Sequence, residues 1–140
     1  METRIKQLIR KLNVYFDCKV IGSYLFLEEG YLTLEEINDV DIMVSDKPTL
    51  KKVVAFLRDN GFKEKGHSYT GSVDRYGDFV IGSLIFESDS SELPIHLLLA
   101  KSNPSEVWSL PKILSKKWEN RSKSDITQLK LIIERTKIIT

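Results

Sequence analysis

Two aspartates, Asp39 and Asp41, stand one residue apart inside the apolar stretch DVDIMV. Residues two apart on a strand project to the same side, so the two carboxylates share one face while Val40 and Ile42 point the other way into the core. Carboxylates so close repel. A divalent cation relieves that repulsion. Mg²⁺ takes oxygen ligands and is commonly held by one or two carboxylates together with substrate phosphates. Sixteen positions earlier along the chain stands a glycine-serine pair, Gly22-Ser23, at the end of CKVIG. A glycine at a strand end lets backbone approach a ligand closely, and the N–H groups that open the following helix suit phosphate. Ser23 adds a hydroxyl. Together these are the parts of a phosphate cradle facing a metal-binding carboxylate pair, as nucleotidyl transfer requires. Either piece alone has a plainer explanation: Gly-Ser as a helix cap, Asp-x-Asp as a turn cap or solvated edge.

Positioning these groups calls for an α/β (α+β) domain. Ile5, Leu8, Ile9 and Leu12 recur at helical spacing, so an amphipathic helix opens the chain. CKVIG reads as a short buried strand. SYLFLEEG reads as a helix capped at Ser23 and stopped at Gly30, and DVDIMV as a second strand. SDKPTLKKVVAFLRDNGF carries a full set of helix signals. Ser45 or Asp46 caps it, Pro48 suits its first turn, Leu50, Val53, Val54 and Leu57 form its stripe, and Asn60-Gly61 stops it. Gly66 to Gly82 reads as a polar loop holding Tyr69, Tyr76 and Phe79. SLIFES, DSSE and LPIHLLLA then read as strand, turn and strand. The last third reads as helices: SEVWSL, PKILSKKWENR and SDITQLKLIIERTKII, the last with a stripe of Ile126, Leu129 and Ile133. The expected fold is a small mixed β-sheet flanked by helices.

The chain has 140 residues, of which 41% are hydrophobic and 29% charged, which suits a single globular domain over 1–140. Net charge is +1, from 21 basic and 20 acidic residues, so no global field recruits nucleic acid or an anionic membrane. A local nucleic-acid groove is still open to Lys112, Lys116, Lys117, Arg121 and Lys123, whose plainer reading is a solvated helix face. Trp108 and Trp118 read as core or interface residues. The single cysteine, Cys18, excludes an internal disulfide and reads as a small buried hydrophobe. The charged, periodic N-terminus is unlike a signal peptide, and no apolar run reaches the roughly 20 residues of a membrane span. A soluble cytoplasmic protein is the expectation.

From Gly22-Ser23 and Asp39-x-Asp41 onward, the sequence resembles the nucleotidyltransferase superfamily with the DNA polymerase beta-like core. The long lead GYLTLEEINDVDI is similar to the lincosamide and aminoglycoside nucleotidyltransferases and to the toxin-type enzymes of abortive-infection systems. KKWENRSKSDITQLKLI is similar to a helix start of that branch. Arg121, Lys123 and Asp125 match its pattern, while Ser124 and Gln128 stand where acids often stand. The resemblance implies transfer of a nucleoside monophosphate from a nucleoside triphosphate to an acceptor hydroxyl. Asp39 and Asp41 would bind Mg²⁺ (or Mn²⁺), and Gly22 and Ser23, with Lys123, the triphosphate. The family carries a third carboxylate on a neighbouring strand, and here His96 of LPIHLLLA occupies that position. His96 is then a base, or a third acid comes from Glu87, Asp74 or Asp78, or the domain binds a nucleotide or a protein partner without catalysis. His67 reads as a surface residue of the polar loop. A homodimer or a protein partner would supply the wall that so short a chain lacks around an acceptor.

Overall fold

The computed structural model describes residues 3–68, 80–89, 92–100 and 123–136. Helix α1 (Arg4–Tyr15) begins where Thr3 Oγ1 accepts from the Lys6 backbone N–H at 3.3 Å. It buries Ile5, Leu8, Ile9 and Leu12, the four positions of its apolar stripe. Strand β1 (Cys18–Ile21) follows, then α2 (Ser23–Glu28), a single 3₁₀ turn (Leu34–Glu36) and β2 (Val40–Val44). Helix α3 (Lys47–Asp59) starts at Asp46, whose carboxylate accepts from the Thr49 N–H at 2.7 Å, with Pro48 in the first turn. That bond draws the Asp46 carboxyl below its ordinary pKa. Gly61, at φ 87°, ends the helix in a conformation that suits glycine.

Strands β3 (Phe62–Ser68), β4 (Val80–Ser88) and β5 (Ile95–Ala100) complete a five-stranded sheet of order β1-β2-β5-β4-β3. The β2–β5 pair is parallel and the other three pairs are antiparallel. The sheet is therefore mixed, with helices packed against it, and the domain is α/β in the α+β sense. Strands β2 and β5 run through its middle, and all five residues of β2 are buried. Val40, Ile42, Met43, Val44, Ile95 and Leu97 are fully enclosed. Each such side chain contributes about 1.5–3 kcal/mol by leaving water.

Three sequence expectations change. Phe62 to Ser68 form a strand, so Gly66 and His67 belong to β3 and not to a loop. This edge strand holds the consecutive exposed residues Lys63, Glu64 and Lys65 and a register shift between Glu64 and Gly66, so it shows no alternation. Strand β4 begins at Val80, three residues before SLIFES. The final helix, α4 (Lys123–Thr136), is rolled away from the expected stripe. Leu129 and Ile132 are buried together with Gln128, whereas Ile126 and Ile133 are 37% and 39% exposed. The segments SEVWSL and PKILSKKWENR lie outside the described residues, as do Tyr69, Asp74, Tyr76, Asp78, Phe79, Trp108 and Trp118.

Cys18 is half-buried and its thiol donates to the Leu12 carbonyl at 3.4 Å. Burial, and then the Asp17 carboxylate, push that thiol up to about 11, so it carries little thiolate. Among the described residues, no helix is long and apolar enough to cross a membrane.

Candidate metal centre

Asp41 is the charged residue of a strand that is otherwise apolar and buried on both faces, and it is only 7% exposed. Burying a carboxylate costs several kcal/mol unless charge or hydrogen bonds compensate it. Strand pairing shows what it meets. Asp41 stands beside His96 across the parallel β2–β5 pair and beside Ile21 across the antiparallel β1–β2 pair, while Ile85 of β4 stands beside His96 on the far side. One row across the sheet therefore reads Ile21, Asp41, His96, Ile85. The two polar residues sit in its middle, walled by isoleucines.

Asp39 stands just before β2 and reaches the same imidazole. His96 Nε2 is 3.7 Å from Asp39 Oδ2, and His96 Nδ1 is 3.6 Å from Asp41 Oδ1. Neither distance is a hydrogen bond. The three residues each offer a ligand atom within 4.8 Å of the others. Two ligands at right angles around an ion, each about 2.1 Å from it, are roughly 3 Å apart. One ion takes one ring nitrogen, so only one of the two gaps separates a pair of ligands, and side-chain rotation must draw the three ligand atoms in from separations of up to 4.8 Å. Two carboxylates and an imidazole are a donor set that fits a divalent ion. Each ring nitrogen faces a different carboxylate. Asp39 and His96 are each about one-third exposed, which leaves the cluster open to solvent on one side.

Gly22 closes the other side. It links β1 to α2 at φ 75° and ψ −151°, a region essentially restricted to glycine. A Cβ placed there would lie 2.7 Å from Asp41 Oδ2. The missing side chain is what lets the β1–α2 turn lie against the aspartate.

Ser23 follows, and its hydroxyl donates to Gln128 Oε1 at 2.8 Å. Gln128, 4% exposed, donates in turn from Nε2 to the Glu36 carbonyl at 3.0 Å. One buried amide on α4 thus ties the start of α2 to the turn that leads into Asp39. Arg135 reinforces the second tie. Its guanidinium donates to both carboxylate oxygens of Glu36, at 2.6 Å from Nη2 to Oε2, and to the Tyr31 carbonyl at 3.0 Å. Glu36 also accepts from the Thr33 backbone N–H at 2.8 Å. Arg135, and then Thr33, hold the Glu36 carboxyl down to about 2.

The structure brings Gly22, Asp39, Asp41 and His96 together, with Ser23 next along the chain. Lys123 opens α4, but its side chain lies outside the described part. Glu87, considered as a third acid, is exposed on β4 opposite Lys63 of β3 and is not part of the Asp39–Asp41–His96 cluster. Sequence reasoning did not single out Glu36 or Arg135, and it noted Gln128 only for lacking a charge. The available signal was T-x-x-E at Thr33–Glu36, a capping box that the structure contains.

No protein-family model, curated protein or solved structure matches the chain.

Proposed function

We propose that the protein is a metal-dependent nucleotidyltransferase, moving a nucleoside monophosphate from a nucleoside triphosphate to an acceptor hydroxyl. The carrying observation is the contact of Gly22 with Asp41 in a cluster that Asp39 and His96 complete. It joins the phosphate-binding and metal-binding halves of the resemblance at one point. The order of elements supports the same reading: Gly-Ser at the end of one strand, Asp-x-Asp at the start of its neighbour, and the third position on the strand beyond.

Asp39, Asp41 and His96 would hold the ion. When bound, it would neutralise phosphate charge and lower the pKa of an attacking hydroxyl. Gly22 lets the β1–α2 turn lie against Asp41, so a phosphate bound at that turn would sit close to the ion. The Ser23 hydroxyl, which donates to Gln128, would donate a hydrogen bond to a phosphate oxygen only by turning from that amide. The isoleucine walls at Ile21 and Ile85 lower the local dielectric and so strengthen every charge interaction in the row.

The test is thermal unfolding with each of ATP, GTP, CTP and UTP, with and without Mg²⁺ or Mn²⁺, on the natural chain and on Asp41→Ala. A nucleotide at 100 times its dissociation constant adds about 2.7 kcal/mol, a midpoint rise of several degrees. A metal-dependent rise that vanishes in Asp41→Ala supports the reading. No rise with any nucleotide overturns it.

One observation favours a second reading. His96 stands where the resemblance calls for a third carboxylate, as in a domain that binds a nucleotide or a protein partner without transferring anything. Labelled-nucleotide transfer that arises only in His96→Asp would establish that reading.

A further inference from the structure

Resting on the metal centre proposed above, we infer that its ion is a borderline transition metal of the Fe²⁺ to Zn²⁺ series, and that His96 selects it against Mg²⁺ and Ca²⁺. Mg²⁺ and Ca²⁺ are hard cations that take oxygen ligands. Imidazole suits Zn²⁺, Fe²⁺, Ni²⁺ and Cu²⁺ far better. Asp39 and Asp41 supply oxygen and two negative charges, and His96 supplies nitrogen without a third. Replacing a carboxylate by an imidazole thus removes charge that a hard cation needs and adds a softer donor.

The placement of His96 is built into the sheet. It lies on the central strand β5, in register with Asp41, and its two nitrogens are 3.6 and 3.7 Å from two different carboxylates. The register thus sets the imidazole beside both carboxylates, where a nitrogen donor would reach an ion that the two aspartates hold. Glu87, the described acid that could have restored an all-oxygen set, faces Lys63 on β3 instead.

The experiment is calorimetric titration of the metal-stripped full chain with MgCl₂, MnCl₂ and ZnCl₂, without nucleotide. Most sites bind Zn²⁺ more tightly than Mg²⁺, so the ratio in the natural protein alone decides nothing. Its change on substitution decides. His96→Asp should raise Mg²⁺ affinity and lower Zn²⁺ affinity, narrowing the ratio at least about tenfold. His67→Ala, altering the chain's other histidine, should leave the ratio as it was. Where circular dichroism shows that His96→Asp does not fold, His96→Gln takes its place, and a loss of Zn²⁺ affinity of at least about tenfold with Mg²⁺ little changed supports the inference. An unchanged ratio in the folded position-96 variant overturns the selection by His96 while leaving the metal centre standing. A ratio that collapses in His67→Ala puts the ion elsewhere and overturns it too. A natural chain that binds none of the three ions overturns the centre itself, and the proposed function with it.

Discussion

Gly22 and Asp41 meet so closely that a Cβ at position 22 would lie 2.7 Å from Asp41 Oδ2. Two independent demands fall on this glycine: its backbone conformation and the space its missing side chain leaves. Gly22→Ala should therefore cost about 1–3 kcal/mol in urea unfolding, more than a helix-capping glycine of ordinary geometry. It should also weaken the divalent-ion effect on the unfolding midpoint, because Asp41 must move to make room. A variant as stable as the natural chain would show that the turn relaxes freely and that the close contact has no role.

Asp39→Asn and Asp41→Asn separate function from stability. Each removes one negative charge with little change of shape. Without an ion, two neighbouring carboxylates repel, so the ion-free variants should hold or gain thermal stability. With Mn²⁺ present, the midpoint rise seen for the natural chain should be lost in both. A large stability loss in the ion-free Asp41→Asn protein would mean that the carboxylate serves the fold.

Acid sensitivity should centre on Glu36. Its carboxyl has an ordinary pKa of 4.5 and is held down to about 2 in the folded chain by Arg135 and Thr33. A folded pKa below the unfolded one gives stability that is fully present above the unfolded value. That stability drains away as pH falls toward the folded value. The window is therefore between about pH 4.5 and 2. Urea midpoints measured across it should fall less steeply for Glu36→Gln than for the natural chain. The difference should shrink in high salt, since the pair is partly exposed. Equal slopes would mean that the Glu36–Arg135 pair contributes no pH-dependent stability.

The sequence displayed the parts of this fold that rest on local signals. Ile5, Leu8, Ile9 and Leu12 mark α1 because one helical face is apolar, and Asp46-Lys47-Pro48 marks the start of α3 because capping and proline geometry are local. Asp39 and Asp41 were visible because carboxylates interrupt an otherwise apolar strand. What was not legible depends on distant partners. Strand β3 has exposed charges in succession and is a strand because β4 pairs with it. The roll of α4 is set by Gln128 and Arg135, whose partners Ser23, Tyr31 and Glu36 are about a hundred residues away along the chain. A hydrophobic stripe drawn through Ile126, Leu129 and Ile133 carries no trace of a buried amide. The pairing of Asp41 with His96 needs the parallel register of β2 and β5, which no local pattern encodes.

Gln128 offers the sharpest test of how α4 supports the site. Its amide receives the Ser23 hydroxyl at 2.8 Å and gives an N–H to the Glu36 carbonyl at 3.0 Å. Gln128→Leu keeps the volume and leaves both partners without this amide, which should cost about 1–3 kcal/mol in urea unfolding. Ser23→Ala removes one of the two bonds and should cost less. In the double variant the losses should not add, and the shortfall is the coupling between α2 and α4, on the order of 0.5–3 kcal/mol for contacting residues. The site should respond in a second way. With the amide gone, the Ser23 hydroxyl no longer has Gln128 as its acceptor, so a triphosphate should raise the midpoint of Gln128→Leu by more degrees than that of the natural chain. Additive losses would mean that Ser23 and Gln128 do not act together. An unchanged or smaller triphosphate effect would mean that the Ser23 hydroxyl does not turn from α4 to phosphate.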